Sequence, residues 1–358
     1  VKGLLLAGGH GTRLRPLTFT GNKHMLPVAN EPMLFYALRD LAAVGVTEVA
    51  VVLGPLREGI REAVGDGRAF GLRVSYLIQE EPRGIADALR RAREFIGGDP
   101  CVVYLGDNIL ESGAGPLVRR FERGGYAAVV GAAPVDDPRR YGVIELDGER
   151  IVSLAEKPAQ PRSSLALVGV YVVDARIFPI LDRLTPSARG ELEITEALDG
   201  LVRSGAPVGV ERIRGFWKDT GRPEDYLSAN REVLTHRSSE YFTLPSTPIP
   251  PGTLQGPVRI GDGSTVDPTA RIEGPTVLGA GVKIGPGSVI GPCCSIGDGV
   301  RISGAQLHGS IVMDRARVEG PIDLCDSILG RDSSVTIGPR PIGPISLIVG
   351  DAARLRGL

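Results

Sequence analysis

Between residues 260 and 302 an aliphatic side chain recurs every six residues without a break: Ile260, Val266, Ile272, Leu278, Ile284, Ile290, Ile296 and Ile302. A helix cannot use this spacing, because six residues turn it through about 600° and scatter the aliphatics over different faces. A strand that turns a corner every six residues puts them all on one interior line. Glycine follows the aliphatic residue at Gly261, Gly279, Gly285, Gly291 and Gly297. Five-residue steps then bring Leu307 and Val312, and the series continues at Val318, Leu324, Leu329 and Val335. The pattern is that of a hexapeptide parallel β-helix.

The preceding two thirds of the chain keep a different period. Lys2–Ala7, Glu48–Leu53, Arg73–Ile78 and Cys101–Leu105 are short aliphatic runs bounded by glycine or polar residues, the pattern of buried strands. Helical spacing lies between them, at Pro32–Val44, Leu56–Val64 and Ile85–Phe95. This alternation predicts an α/β domain with a parallel sheet covered on both faces. Past Asp107 the order loosens. Strands are expected at Ala127–Gly131, Gly142–Leu146, Ile151–Ala155 and Leu167–Val173, and helices at Glu191–Ser204 and Glu224–Thr235. The proline-rich stretch Thr243–Gly256 cannot be a regular helix and is expected to be a linker.

A chain of 358 residues is long enough for these two domains, and 42 % hydrophobic against 23 % charged residues excludes a disordered one. Forty-one basic residues nearly cancel 42 acidic ones, so no general attraction to nucleic acid or an anionic membrane is expected. An anion must therefore be held by local groups. No apolar run approaches the roughly 20 residues of a membrane helix, and Val1–Ala7 is too short for a signal peptide. Cys101, Cys293, Cys294 and Cys325 lack metal-ligand spacing, and a reducing cytoplasm is the expectation.

The first strand runs into Leu6-Ala7-Gly8-Gly9-His10-Gly11-Thr12-Arg13-Leu14. Glycines there let backbone N–H groups approach a phosphate or a base, and Arg13 adds a permanent cationic fork. Leu14 stands where a dinucleotide fingerprint needs glycine, and no Gly-Lys-Ser/Thr occurs for a P-loop. Alone, the loop is equally consistent with a tight turn. Lys23, ten residues past Arg13, supplies a second cation suited to a polyphosphate.

The run Gly8-Gly9-His10-Gly11-Thr12-Arg13-Leu14, with Lys23 and Pro27, resembles the signature of the nucleotide-diphosphate-sugar pyrophosphorylases. The chain is most similar to their glucose-1-phosphate thymidylyltransferase branch, whose later motifs recur in order. These are Gln79 with Pro82-Arg83-Gly84-Ile85-Ala86, Leu105-Gly106-Asp107-Asn108, Arg140-Tyr141-Gly142-Val143, Glu156-Lys157-Pro158, Gly190 to Thr195, and Trp217-Lys218-Asp219-Thr220-Gly221. The resemblance covers the first 236 residues. With the repeat tail it implies the long form: a Rossmann-like catalytic domain at 1–236, with a mixed, mostly parallel sheet flanked by helices, a linker at 237–252 and a left-handed β-helix at 253–358.

The resemblance also implies roles. Leu6, Gly8, Gly9, Gly11, Thr12, Arg13, Gln79, Pro82, Gly84 and Asp107 would hold the nucleotide, with Gln79 on thymine. Asn108, Tyr141, Gly142, Glu156, Lys157, Val168, Gly169, Tyr171 and Trp217 would hold the sugar phosphate. Asp107 and Asp219 would bind Mg²⁺, a hard cation usually held by one or two carboxylates plus substrate phosphates. Without the resemblance, an Asx turn at Asp107, a helix cap at Asp219 and a solvated Glu156–Lys157 pair are equally open. The implied reaction joins dTTP to glucose 1-phosphate, with in-line attack of the sugar phosphate on the α-phosphorus. Its catalytic groups would be Arg13, Lys23, Lys157, Asp107 and Asp219, and no covalent intermediate is expected.

Rival expectations are a UTP-using enzyme, a non-catalytic sugar-phosphate sensor, and acyl transfer in the β-helix with His308. The sensor fits poorly, since the cations and carboxylates are all in place. A β-helix exposes edges that favour a homo-oligomer. Three residues depart from the family pattern, His24, Met25 and Asp87, the last standing where a glutamine or histidine is expected.

Overall fold

The computed structural model describes residues 1–236 and 248–357, so the expected linker lies largely outside the described residues. The chain forms two compact units, one of residues 1–10 and 33–219, the other of 11–32 and 220–358.

The first unit is built on a nine-stranded sheet. Strands β1 (Lys2–Ala7), β2 (Glu48–Leu53), β3 (Arg73–Ile78) and β4 (Cys101–Leu105) form its parallel part, in the order β4-β1-β2-β3. Next come the short β5 (Asn108–Leu110), then β6 (Ala128–Pro134), β7 (Gly142–Asp147), β8 (Arg150–Glu156), β9 (Leu165–Val173), β10 (Val208–Arg212) and β11 (Trp217–Asp219). Strand β9 runs antiparallel to β4, β6 and β7, which makes the sheet mixed, as expected. Helix α1 (Met33–Ala43) buries Leu34, Leu38 and Leu41 and packs on β1 and β4. Leu4 and Leu6 of β1 instead join a cluster with Leu89, Ile96, Leu198 and Leu201. Alternate residues of one strand thus serve helices on the two faces.

Two expected helices are shorter than their patterns. Ile85–Phe95 divides at Ala92 into α2 (Ile85–Arg91) and α3 (Arg93–Ile96), because the Ala92 N–H is shared between the Ala88 and Leu89 carbonyls. Of Glu191–Ser204, only α4 (Ile194–Arg203) is helical. Leu192 is held extended, its N–H bonded to Arg83 O and its carbonyl to Ala86 N. That keeps Glu191 and Glu193 out of the helix and turned to a pocket described below.

The second unit contains the repeat. Three parallel six-stranded sheets wrap a left-handed β-helix, and every anchor from Ile260 to Val335 lies in its core. Ile260 pairs with Leu278 and Leu278 with Ile296. One coil is therefore 18 residues, three hexapeptides. The five-residue steps shorten later coils to 17 or 16 residues. Stacking also explains the glycines: a Cβ on Gly261 would stand 2.5 Å from the Gly279 backbone in the next coil.

The Gly11–Pro32 segment belongs to this unit, where helix α5 (Pro223–His236) and the coils fasten it. Tyr226 Oη donates to Pro27 O (2.5 Å), and Asn230 Oδ1 accepts from Ala29 N (2.8 Å) and Ser295 Oγ (2.7 Å). Asn30 Nδ2 donates to Ile296 O (2.6 Å). No helix among the described residues is long and apolar enough to cross a membrane.

Candidate active site

Both units carry part of the predicted machinery. In the first, the parallel strands end together at Ala7, Leu53, Ile78 and Leu105, the edge where ligands gather in α/β sheets. Gly8, Gln79 and Asp107 follow from this edge. Strand β11 then pairs antiparallel with β5 and sets Asp219 opposite Asn108, the neighbour of Asp107. Two carboxylates distant in sequence are thereby one register step apart. Sequence pattern did not reveal β11, because Trp217-Lys218-Asp219 has neither alternation nor length.

A pocket of ≈ 140 Å³ opens beside them. Eight of the residues assigned to the sugar phosphate, Asn108, Tyr141, Gly142, Glu156, Lys157, Gly169, Tyr171 and Trp217, line it together with Asp219, which was assigned to the metal. The rings of Tyr141 and Trp217 meet at 5.4 Å and 59°, giving a wall with apolar faces. Trp217 Nε1 donates to Asn108 Oδ1 (2.6 Å), which also accepts from Gly169 N (3.2 Å). Gly169 is required there, since a Cβ would fall 2.6 Å from Asn108 Oδ1. Leu167, Gly169 and Tyr171 alternate toward the pocket, so Val168 points its side chain to the other face of β9, against Gly131.

Glu156 is the hub of the pocket's polar groups. Its Oε2 accepts from Thr195 Oγ1 (2.5 Å), and its Oε1 lies 3.1 Å from both Lys157 Nζ and Arg189 Nη1. Lys157 has φ +40°, a left-handed conformation that costs a non-glycine residue about 1–3 kcal/mol. Its N–H holds to Tyr141 O (3.0 Å), so the strained turn at the end of β8 fixes where the ammonium stands. Arg189 also meets Glu191 (3.2 Å) and Glu193 (3.4 Å). Burial pushes the Glu193 carboxyl up, partly opposed by a Ser187 hydrogen bond, with Glu156 pushing the same way as burial. Burial likewise raises the Tyr171 hydroxyl, reinforced by Glu156, Asp107 and Asp219, so it stays neutral among carboxylates. Arg189, Glu191, Glu193 and Thr195 belong to this site, although sequence reading assigned them no role. Arginine and glutamate are common on surfaces, and only the extended stretch before α4 turns them inward.

Residues assigned to the nucleotide fall in both units. In the first, Leu6 is buried in β1, Gly9 is exposed past its end, Gln79 is buried after β3, and Pro82 and Gly84 follow in the loop before α2. In the second, Gly11 takes φ +63°, and a Cβ would stand 2.9 Å from Lys23 Cβ. The Lys23 stem thus packs on Gly11, with Thr12 and Arg13 exposed on the next turn. Asn22 caps the turn of Lys23 by accepting from His24 N (2.9 Å). His24 is buried there, its Nδ1 2.6 Å from Asn22 Oδ1, which gives this departure from the family pattern a structural role.

The four cysteines are free, and burial pushes the Cys101 and Cys294 thiols up to about 12. Neither is a nucleophile near neutral pH. His308 donates its Nδ1–H to Gly291 O (2.6 Å), tying one coil to the next. No cluster of three or more histidine, cysteine or acidic side chains suited to a metal occurs among the described residues.

Comparison with known proteins gives consistent results. The family model of nucleotidyl transferases matches residues 2–236, and that of bacterial transferase hexapeptide repeats matches 257–292 and 275–309. The low-salt glycan biosynthesis nucleotidyltransferase Agl11 of Haloferax volcanii is 40 % identical over 94 % of each chain. A glucose-1-phosphate thymidylyltransferase of Streptomyces antibioticus is 40 % identical over 99 % of each. Among solved structures, a Bacillus anthracis protein described as a glucose-1-phosphate thymidylyltransferase, in complex with a sucrose, is 38 % identical. It superposes with a TM-score of 0.61 over 64 % of this chain and 93 % of that one. A UDP-glucose pyrophosphorylase complexed with UDP-glucose follows at 25 % identity and TM-score 0.59, over 65 % and 98 %.

Proposed function

This chain belongs to the nucleotidyl transferase family, and from that premise we propose that it makes dTDP-glucose and pyrophosphate from dTTP and α-D-glucose 1-phosphate. The observation that carries the reading is the Glu156–Lys157 pair in a pocket walled by Tyr141 and Trp217. A carboxylate accepts from sugar hydroxyls, an ammonium beside it takes a phosphate, and ring faces cover the apolar side of a pyranose. The thymidylyltransferase named among the full-length relatives supports the choice of base and sugar.

The sugar phosphate is already an anionic nucleophile at neutral pH, so the reaction needs no strong base. Its barrier is the meeting of two anions and the charge that gathers on leaving pyrophosphate. Positioning and cationic stabilisation therefore carry the catalysis. Lys157 holds the nucleophilic phosphate in place, and Glu156, braced by Thr195 and Arg189, orients the ring through its hydroxyls. Arg13 and Lys23 take the triphosphate oxygens. Asp107, in the turn before β5, and Asp219, opposite Asn108 on β11, offer hard oxygen donors, and they fit Mg²⁺, which a site of two carboxylates and substrate phosphates suits. When bound, Mg²⁺ would neutralise phosphate charge and orient the α-phosphate. The reading includes a cytoplasmic location, which four unpaired cysteines suit, and a homo-oligomer associating through the β-helix.

The test is pyrophosphate release across a matrix of triphosphates and hexose 1-phosphates, with and without Mg²⁺. The dTTP and glucose 1-phosphate cell should be the fastest and should need the metal. Faster turnover with UTP would move the assignment to a uridylyltransferase.

A further inference from the structure

Asp87, the departure from the family pattern beside the base loop, is fully buried on α2 and makes a defined set of bonds. Its Oδ1 accepts from Arg90 Nη2 (2.8 Å), and its Oδ2 accepts from Arg91 Nε (2.7 Å) and from Gln79 Nε2 (2.9 Å). Gln79 Nε2 also donates to Gly84 O (3.2 Å). A carboxylate and a carbonyl are both pure acceptors, so the amide nitrogen must face them. Turning the amide over would set its oxygen against two others, a cost that burial makes larger. The amide therefore has one orientation.

Its other end is then fixed as well. Gln79 Oε1 accepts no hydrogen bond among the described residues. It lies 3.7 Å from where a Cβ on Gly8 would stand, in the space the glycine leaves at the end of β1. What the Gln79 side chain presents to a ligand there is an acceptor and no donor.

We infer that Asp87 is a positioning residue for base selection, locking the Gln79 carbonyl toward the base so that the site takes a pyrimidine with a ring N–H, thymine or uracil, and refuses cytosine. Cytosine offers a lone pair at that ring nitrogen, and two facing acceptors would be left unpaired. The inference rests on the proposed nucleotidyl transfer with Gln79 at the base. It adds what that reading lacks, the group that decides which face of Gln79 is shown.

The bonds of Asp87 predict what happens when its charge or its acceptor is removed. In Asp87→Asn the amide oxygen takes the Oδ2 place, where it keeps both Arg91 and Gln79, so Gln79 holds its orientation. Asp87→Ala removes that acceptor altogether; only the Gly84 carbonyl then opposes a turned amide, and Gln79 can show its nitrogen to the base, a donor that suits cytosine.

The probe pair is dTTP and 5-methyl-dCTP, which differ only on the hydrogen-bonding edge of the base, each tested with glucose 1-phosphate and Mg²⁺. For the parent protein kcat/KM should favour dTTP by on the order of 100-fold or more, because a site built for one hydrogen-bond pattern discriminates strongly. In Asp87→Ala that ratio should fall at least ~10-fold, with 5-methyl-dCTP gaining in absolute kcat/KM, while Asp87→Asn should keep it within about threefold of the parent. A merely structural role would lower both substrates together in Asp87→Ala and leave the ratio alone, which would overturn the inference. Should Asp87→Ala fail to fold, Asp87→Leu likewise removes the acceptor and frees Gln79 to show either face, and the ratio should again fall. A parent that uses the two within about threefold of each other overturns the inference whether or not a variant folds. No pyrophosphate from any triphosphate would instead defeat the proposed function, so the two failures are distinguishable.

Discussion

The sugar pocket and the β-helix bury side chains for opposite ends. The β-helix interior is a column of Ile, Val and Leu repeated coil after coil, and its buried polar residues are small ones such as Ser264, Thr276 and Ser310. Each bonds a neighbouring backbone group, as Ser264 Oγ does with Gly279 O (2.9 Å). In the pocket, carboxylates and cations crowd around the neutral Tyr171, one lysine holds a strained backbone angle, and Glu193 is pushed up by burial. Backbone strain and the burial of charge are destabilising in themselves, and they collect where a ligand binds. One region is optimised for itself, the other for something it binds.

Substitutions can break that contrast or sharpen it, and the largest effect belongs to the β-helix. Leu307→Ala removes a fully buried anchor and should cost about 2–5 kcal/mol in denaturant unfolding, with kcat unchanged as long as the protein stays folded. Stability within about 0.5 kcal/mol of the parent would show that the column is not close-packed. Lys157→Ala removes the strained lysine and should raise KM for glucose 1-phosphate by about 10-fold or more, with the melting temperature held and KM for dTTP little changed. A parallel rise in both KM values would break the assignment of Lys157 to the sugar phosphate. The smallest effect is a pH dependence at Asp87. Burial pushes this carboxyl up, but hydrogen bonds from Arg91, Gln79 and Arg90 outweigh it and hold the group below its ordinary 3.8. Its contribution to stability is therefore present above 3.8 and lost as pH falls through the lower folded value. Thermal melts of the parent and Asp87→Asn should differ near pH 7 and converge in acid. A gap that widens in acid would contradict the ionised assignment.

The same contrast governs what was legible in the sequence. In the β-helix the contacts from coil to coil are local and periodic, so the anchors, the glycines after them and the shortened coils could all be read from spacing. The four parallel strands of the first unit were legible for a similar reason, since aliphatic runs between helices leave few alternatives. The site was not readable that way. Asp219 meets Asn108 through a three-residue strand with no pattern, and the turn that strains Lys157 is decided by the Tyr141 backbone. Motif resemblance found most of the pocket residues, because it carries the result of tertiary pairing that periodicity cannot express. It passed over Arg189 and gave no role to Glu193, which its Gly190 to Thr195 motif contains; their inward turn depends on Leu192 bridging to Arg83 and Ala86. Compactness also groups residues 11–32 and 220–236 with the repeat, where the change of period alone would divide the chain at 236.

The central claim is that Asp107, which immediately precedes β5, and Asp219, which β11 sets opposite Asn108, act together in phosphoryl chemistry. Its most direct test is kcat of Asp107→Ala and Asp219→Ala with saturating dTTP, glucose 1-phosphate and Mg²⁺, alongside their melting temperatures. The account predicts that each falls at least ~100-fold while the fold is kept, the scale of losing one transition-state contact. Turnover within about threefold of the parent in either variant would contradict it.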